Sequence, residues 1–507
     1  MKRFLLAALF FACLLIKLDA FDGNPCCIPQ RRDPIICFYD CIKYTSQSFM
    51  FTRPANMNLP MYQSMWHSLI YSEDPCSTSF QLIGFYQESQ TNKHMEQYFL
   101  INRKVSLEIR GDDAPDAHLR DVRSSWLGIN NDQFRGTLAI HPEQKQFGFT
   151  AEFYQVLGGI VNIDILQDWW ISVKVPVVLV ENNIGLQQTG ILNKGTNGPA
   201  DIVQAFNQRE WKFAKMKCNG QTKAGVAEIN AKVGATYLGK EGFELAYYTG
   251  FSGPLSNTQD GEFLFSPFVG NNGHASVEGG INMQFTLNCD TTCQEFCWFI
   301  DLESHWLLPN RQCRTFDLRN KQWGRYLQLN VQNGPPDQNI PGVNILTRET
   351  KVHPYILAEF STGCRYLTDS VEAEIGYTLW GHGNEKLRLI CPFPEIYGIA
   401  GTGFMVDPQT GMHIATSASQ STIANKAPND VDANGDPIFV TIKAADIDLL
   451  SAESRTAINH RLHASLGYRR LGGRIDAFLS FGAYYEWPQR NSALEVGGAW
   501  AKFGASF

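Results

Sequence analysis

The last sixteen residues of the chain, 492–507, alternate on a two-residue period and end on an aromatic residue. Successive side chains of a β-strand point to opposite sides, so this period divides the segment into two faces. Lys502 and Ser506 lie on one face. From residue 497 onward the other face carries only small or apolar residues: Gly497, Ala499, Ala501, Phe503, Ala505 and Phe507. The chain therefore ends on a strand with one wholly small or apolar side.

Long segments with the same period recur along the chain. The clearest one, 275–289, exceeds the usual soluble strand of about 5–6 residues and is long enough to cross a bilayer at a tilt. The same alternation appears at 227–239, 371–379 and 474–487. Weaker candidates lie near 79–88, 98–110, 134–141, 146–155, 169–180, 242–251, 296–308, 324–332, 351–362, 387–399 and 461–471.

These segments predict an all-β fold, a transmembrane antiparallel up-and-down β-barrel. We expect about 14 strands, with about 12 or 16 as alternatives, because exported bacterial barrels have an even number. The barrel is expected over residues 77–507. Three stretches lack the strand pattern: a Cys- and Pro-rich segment at 21–76, which could form a plug or a periplasmic part, and long insertions near 190–222 and 402–458. The insertion at 190–222 includes a candidate amphipathic helix over 200–213.

The amino terminus has the layout of a secretory signal peptide. Lys2 and Arg3 precede an apolar run from Phe4 to Ile16, and Ala20 offers a small residue at the cleavage position. We predict residues 1–20 to be removed. The run is shorter than the roughly 20 residues of a membrane helix, but a closed barrel also satisfies every backbone group inside a bilayer. The remaining chain has a formal charge of −9, which gives no indication of a nucleic-acid partner.

If the apolar strand faces contact lipid, the opposite faces line the barrel lumen. Mixed charge on such a wall suits a water-filled channel that selects among small polar solutes. The alternative is a plugged barrel in which these charges pair with one another. The residues predicted to line the lumen are Lys104, Glu108, Arg110, Glu228, Lys232, Glu278, Gln284, Glu372, Glu374, Arg461, His463, Arg469, Arg474 and Asp476.

Cysteine is abundant, with thirteen residues of which twelve survive the predicted cleavage. An even number in an exported chain favours disulfides. Cys289 and Cys297 could bridge two strand ends, leaving Cys293 for Cys313 or for another chain. Zinc sites usually place cysteines two residues apart, and that spacing does not occur here. The disulfide candidates are Cys26, Cys27, Cys37, Cys41, Cys76, Cys289, Cys293, Cys297 and Cys313.

A short acidic stretch, 430–436, is similar to the start of a calcium-binding loop. Oxygen ligands alternate and a glycine follows them, as such loops require. The twelfth position is Thr441, where the full motif has a bidentate glutamate. A shortened calcium site and a solvated turn both remain open. Otherwise we expect no cofactor. The candidate ligands are Asp430, Asp432, Asn434 and Asp436.

We predict no enzymatic activity. The histidines are scattered, and no serine has the context of a nucleophile elbow. The sequence therefore favours transport or a structural role.

The closing strand, the long alternating segments and the signal peptide together resemble Gram-negative outer-membrane β-barrel proteins. The resemblance implies the outer membrane as location, both termini in the periplasm, contact with outer-membrane lipid, and Phe507 as a signal for the barrel-assembly machinery. The many cysteines resemble those of the major porins of chlamydia-like bacteria. A fatty-acid transporter barrel is another candidate, although the Asn-Pro-Ala signature expected within 21–76 is missing.

These features predict an outer-membrane porin that lets small hydrophilic solutes diffuse through a charged lumen, as a monomer or a homo-oligomer. Two alternatives remain: a structural envelope barrel cross-linked by disulfides, and a transporter of hydrophobic substrates. A soluble exported β-sandwich is a simpler fold that the pattern also allows.

Overall fold

A computed structural model describes the protein over residues 46–66, 77–90, 95–158, 168–238, 242–290, 294–407, 409–470 and 475–507. The predicted signal peptide and the early cysteines Cys26, Cys27, Cys37, Cys41 and Cys76 lie outside these ranges.

Twelve antiparallel strands of the described chain form a closed barrel. Each strand pairs with the next along the chain, and the last pairs back with the first. The ring has no free edge, so backbone groups pair all the way round. Numbered alone and in chain order, the strands are β1 Thr78–Ser89, β2 Glu143–Val156, β3 Trp169–Asn183, β4 Glu228–Leu238, β5 Phe243–Pro254, β6 Ser276–Asp290, β7 Gln294–Leu307, β8 Ile356–Leu367, β9 Val371–His382, β10 Ala457–Arg470, β11 Asp476–Pro488 and β12 Val496–Ser506.

Twelve strands form the ring, so the favoured count of about 14 is wrong and the alternative of 12 is confirmed. Each of the twelve had a matching alternating segment in the sequence. Four further candidates, 98–110, 134–141, 324–332 and 387–399, contain short strands that lie outside the barrel. Their alternation has a different cause: one face of a small sheet packs on an apolar core, as at Leu107 and Ile109, both fully buried.

The two ends of the barrel differ in their connections. One end, here called the turn end, has the short connections 157–168, 239–242, 291–293, 368–370 and 471–475, together with the start of β1 and the end of β12. The other, the loop end, has the connections 90–142, 184–227, 255–275, 308–355, 383–456 and 489–495. Short turns at one end and long loops at the other are typical of outer-membrane barrels.

The long connections fold into an ordered structure, here called the loop cap, with an apolar core that includes Phe99, Phe206, Trp323 and Tyr326. Phe206 packs edge-on against Trp323 and Tyr326 at centroid distances of 5.9 and 5.2 Å. Gln221–Val226 pairs with residues 177–182 of β3, outside the ring. The other strands of the loop cap are Ser106–Arg110, Val122–Arg123, Arg135–Ala139, Gln187–Leu192, Asn310–Thr315, Asp317–Leu318, Gln328–Val331, Ile340–Pro341, Thr347–His353, Lys386–Leu389, Tyr397–Val406, His413–Ser417 and Ile447–Asp448.

The helices in the described residues are short. The candidate over 200–213 forms only Ile202–Phe206, where the Asp201 side chain caps the first turn by accepting from Gln204 N. Among the described residues, none of the helices has the length and apolarity to cross a membrane. The other α-helices are Leu59–Gln63, Glu96–Phe99 and Gly342–Leu346, and the 3₁₀ turns are Ile101–Arg103, Ala117–Leu119, Ser124–Leu127, Gly324–Tyr326, Ala444–Asp446 and Leu449–Ala452.

The outer barrel surface is apolar and has aromatic side chains near both ends. On β7, Phe296 and Trp298 are exposed near the turn end and Trp306 near the loop end. Trp306 lies 8 residues from Trp298 and 10 residues from Phe296. These separations correspond to roughly 26–33 Å along the strand, before its tilt is considered. This spacing is compatible with a membrane-embedded band of about 25 Å between two aromatic girdles.

Candidate functional site

The strand alternation directs polar side chains into the barrel. On β6, Glu278 and Asn282 are each 2% exposed, whereas Val277 and Ile281 on the opposite face are 39% and 37% exposed. A soluble protein would show the reverse arrangement, with apolar residues inside. The polar interior is the candidate functional site.

Most of the predicted lumen residues lie on this inner face. Lys232 is nearly buried there, while Arg469 and Asp476 are half-buried close to the turn end. Arg474 lies outside the described residues. The fully buried members are Glu228, Glu278, Gln284, Glu372, Glu374, Arg461 and His463.

Lys104, Glu108 and Arg110 do not lie on a barrel strand, so their predicted position on the barrel wall is wrong. Glu108 and Arg110 belong to the loop-cap strand Ser106–Arg110, which Lys104 precedes. Arg110 pairs with Glu108 and with Asp116, the latter at 3.0 Å. The alternation of this segment reflects packing inside the loop cap.

Residues 46–66, here called the plug segment, run through the lumen from the loop end to the turn end. At the loop end, Ser46 donates to Asp317 Oδ2 at 3.0 Å, and its carbonyl accepts from Arg325. At the turn end, Trp66 packs edge-on against Tyr154 and Phe478. These contacts place part of the predicted 21–76 segment inside the barrel.

Charged wall residues hold the backbone of the plug segment. Glu359 Oε1 accepts from Leu59 N at 3.1 Å, and Glu372 Oε1 accepts from Met65 N at 2.7 Å. Lys502 Nζ donates to the carbonyls of Met61 and Tyr62 at 3.2 and 3.1 Å. Lys502 belongs to the closing strand, so the polar face of that strand faces the plug segment.

One side chain of the plug segment makes a buried ion pair with the wall. Arg53 Nη2 lies 2.7 Å from Glu359 Oε1, and its Nη1 lies 2.7 Å from Glu486 Oε2. Arg461 Nη2 also contacts Glu486 Oε2, at 2.6 Å. Two carboxylates and two guanidinium groups therefore balance in this part of the lumen.

A second cluster joins β4, β6 and β7. Lys232 Nζ lies 2.6 Å from Glu303 and 3.7 Å from Glu278. His305 lies between the same carboxylates, at 3.1 Å from Glu278 and 2.8 Å from Glu303. Glu278, Glu303 and His305 bring one ligand atom each to within 4.8 Å of one another, a geometry that could hold a metal ion. Lys232 already supplies a cation there, so the geometry does not require a metal.

A third cluster lies toward the turn end. Arg365 pairs with Glu372 at 3.1 Å and with Glu374 at 2.7 Å. His463 Nε2 lies 3.3 Å from the other oxygen of Glu374. Both carboxylates of this cluster have Arg365 as a partner of opposite sign, which offsets part of the cost of burying them.

The described residues leave one small cavity beside Tyr62 and Trp66 of the plug segment. A cavity of about 30 Å³ is lined by Tyr62 and Trp66 of the plug and by Lys174 and Glu303 of the wall, among others. That volume holds about one or two water molecules. At this level of the lumen the plug segment and the wall are in close contact.

The candidate calcium ligands do not converge. Asp430 accepts from Ser419 Oγ at 2.6 Å and from Ser417 Oγ at 2.6 Å. Asp432 instead accepts from the backbone of its own turn, at Asn434 N and Asp436 N. The three carboxylates of this stretch do not form a group within 4.8 Å of one another. The arrangement is that of a turn rich in Asp and Asn.

Five cysteines of the described chain are free thiols: Cys218, Cys297, Cys313, Cys364 and Cys391. Cys297 and Cys313 are both unbridged, so the proposed bonds to Cys289 and Cys293 are absent. The reason is register: the backbone partner of Cys297 is Thr286, and that of Cys289 is Glu295. Cys293 lies outside the described residues.

Several site residues escaped the sequence interpretation. Glu303 and Glu359 lie in the weaker predicted strands 296–308 and 351–362, where the alternation could have assigned them to the inner face. Arg53 had no such signal, because the plug segment has no strand period. Its position depends on contacts between residues more than 300 apart.

No protein-family model matches the chain, and no curated protein matches it. Its fold is similar to several solved outer-membrane proteins. An outer membrane channel from Pseudomonas putida F1 has 8% identity and a TM-score of 0.36, over 85% of this chain and 95% of that one. A FadL homologue from Pseudomonas aeruginosa has 7% identity and a TM-score of 0.30, over 90% and 99%. The Pseudomonas putida toluene transporter TodX has 8% identity and a TM-score of 0.29, over 91% and 94%.

These similarities are loose, and the barrel itself is established by the strand pairing. The resemblance to the porins of chlamydia-like bacteria stays a prediction.

Proposed function

We propose that the protein is an outer-membrane transport barrel whose plug segment closes a polar lumen, and that small hydrophilic solutes pass when the segment moves. The observation that carries this proposal is the path of residues 46–66 along the lumen, held to the wall by ion pairs and hydrogen bonds. Such contacts can exchange with water when the segment moves. Passage needs no covalent step.

The outer membrane is the proposed location because of the barrel surface. Its exposed apolar residues and its aromatic side chains near both ends suit a lipid bilayer. The long connections would then lie outside the cell and the short turns in the periplasm. Phe507, whose backbone pairs with Thr78 and whose side chain is 64% exposed, stays our candidate signal for the barrel-assembly machinery.

A hydrophilic solute suits the wall better than a hydrophobic one. Carboxylates such as Glu278 and Glu374 and bases such as Lys174 and Arg365 line the lumen and are buried. An apolar solute would have to displace the water or plug groups that solvate these charges, at a large free-energy cost. The transporter of hydrophobic substrates is therefore the less favoured alternative.

A structural envelope barrel is the second candidate. The ion pairs and hydrogen bonds that hold the plug segment to the wall support it, since a permanently closed barrel needs such contacts. The two candidates differ in whether the plug segment ever leaves its position.

Planar-bilayer recording of the refolded full-length protein tests the proposal. Wild type should show rare stepwise conductance, and Arg53→Ala should raise the open probability at least about tenfold, because the variant loses the buried contacts of Arg53 with Glu359 and Glu486. Arg311→Ala is the matched control, because Arg311 is exposed and its partner Glu349 lies 3.9 Å away.

Heat-modifiable gel migration should first confirm that each variant has folded. Silent bilayers for folded wild type and folded Arg53→Ala would reject transport and favour the structural barrel.

A further inference from the structure

The environment of Arg53 is a complete guanidinium site built by the barrel wall. Both terminal nitrogens contact wall carboxylates at 2.7 Å, and the guanidinium carbon lies 5.4 Å from the ring centroid of Trp380. Only the Nε hydrogen is used within the plug segment, as a donor to Met57 O at 2.9 Å. The Arg53 side chain is 4% exposed.

The wall holds one of the two carboxylates, Glu486, independently of the plug segment. Glu486 is held by Arg461 Nε at 2.9 Å and by the side-chain amide of Asn459. The carboxylate would therefore keep its position if Arg53 withdrew. Such preorganisation reduces the cost of binding another cation.

Two buried polar atoms beside the site lack a hydrogen-bond partner in the described part of the chain. They are Trp380 Nε1 and Asn459 Oδ1, in side chains that are 1% and 2% exposed. Buried polar atoms are normally paired, so each of these two atoms has the capacity for one more hydrogen bond. Asn459 Oδ1 could accept a hydrogen bond from a cationic group that Arg53 does not provide.

The lumen as a whole also favours cations. Among the described residues of the barrel's inner face that are buried or nearly so, nine are acidic and, with histidines left out of the count, five are basic. A narrow path with an excess of one sign attracts solutes of the opposite charge. The acidic members are Glu152, Glu228, Glu278, Asp301, Glu303, Glu359, Glu372, Glu374 and Glu486, and the basic members are Lys174, Lys232, Arg365, Arg461 and Lys502.

We propose that the lumen binds solutes carrying a guanidinium group between Glu359, Glu486 and Trp380, and that Arg53 occupies this site as an internal ligand in the closed state. The planar fork of a guanidinium matches two carboxylates and an aromatic face, which an ammonium group matches less well. The inference rests on the proposed function and adds the substrate class: organic cations of the guanidinium type.

Binding and conductance are measured on folded Arg53→Ala, with Arg53→Gln as a second variant of closer shape. The probe is methylguanidinium, and methylammonium is the control of equal charge. Isothermal titration should show methylguanidinium binding at least about tenfold more tightly to Arg53→Ala than to wild type, and more tightly than methylammonium. Adding Glu359→Gln and Glu486→Gln should abolish that binding.

In bilayers, the open Arg53→Ala barrel should prefer K⁺ over Cl⁻ at least about threefold by reversal potential, and methylguanidinium should block it. Equal binding of the two probes, or anion preference, would overturn the inference while leaving transport intact. A silent bilayer with selective methylguanidinium binding would reject transport but support the site.

Discussion

Asp317 shows how a single buried carboxylate organises the loop cap at the start of the plug segment. Its two oxygens accept from Arg325 Nε and Nη2 at 2.8 and 2.7 Å, from Ser46 Oγ, and from the backbone nitrogens of Trp323 and Arg325. Burial disfavours the Arg325 charge, but Asp317 outweighs it and raises the pKa of Arg325 above the ordinary arginine value. The Asp317–Arg325 pair stabilises the loop cap only while both side chains are present and charged.

Asp317→Asn should therefore destabilise the loop cap strongly. It leaves the Arg325 guanidinium buried without a full counter-charge, which costs about 3–5 kcal/mol. The free energy of unfolding is measured by urea titration in detergent, with tryptophan fluorescence as the signal.

Glu349→Gln, in an exposed pair, is the control and should change the free energy of unfolding by less than about 1 kcal/mol. Equal effects of the two substitutions would contradict the anchoring role.

Glu453 predicts a pH dependence in the same loop cap. Its burial, reinforced by Glu385 and Asp448, raises its pKa from 4.5 to about 7. Because the folded state favours the protonated form, stability should fall as pH rises from about 4.5 to 7, and the whole loss should persist above pH 7.

Glu453→Gln should remove that loss. We expect it to match wild type at pH 4 and to exceed it by about 1–2 kcal/mol at pH 8, a value discounted for partial exposure. Urea unfolding at the two pH values measures this difference. A constant difference between the two proteins at both pH values would rule out the titration of Glu453 as the cause.

At the scale of the strands, the two faces of β6 differ in the space that they leave for a side chain at glycine positions. Gly280 on β6 faces inward, and a Cβ there would overlap the Tyr248 ring, whose hydroxyl donates to Glu303 at 2.5 Å. Gly279, its neighbour, faces outward, and the nearest atom to its Cβ would be 3.8 Å away.

Gly280→Ala should destabilise the barrel by about 1–3 kcal/mol through overpacking, and Gly279→Ala should be nearly neutral. Heat-modifiable gel migration over a temperature series gives the unfolding midpoint of each variant. The inner-face assignment of β6 fails if Gly279→Ala proves the more destabilising of the two.

The strands were predictable from the sequence. A plug within residues 21–76 was one of two alternatives there, but its contacts with the wall were not predictable. The alternation of apolar and polar residues located all twelve barrel strands, because a wall between lipid and a polar lumen imposes a period of two. The same period overcounted strands at 98–110, where a small sheet packs on the loop-cap core. Alternation also assigned Lys502 to the polar face, but its bonds to Met61 and Tyr62 carbonyls depend on a segment more than 400 residues away.

For the whole molecule, the cysteines test which end of the barrel faces outward. Cys218 and Cys391 are exposed free thiols in loop-end connections, and Cys297 is buried in the wall. A membrane-impermeant maleimide should label Cys218 and Cys391 on intact cells, and Cys297 only after denaturation. Peptide mapping by mass spectrometry identifies the labelled sites. If Cys218 and Cys391 were labelled only after permeabilisation of the outer membrane, the loop end would face the periplasm and the proposed orientation would be wrong.

The path of the plug segment also constrains the order of assembly. Residues 46–66 precede β1 in the chain, yet they lie inside a ring that closes only when β12 pairs with β1. If the barrel closed first, the plug segment would have to thread into it through one of its two ends. The simpler sequence of events places the segment against the growing sheet before the seam forms. Pairing of β12 with β1 then encloses the segment, so that its capture and the completion of the barrel become one step.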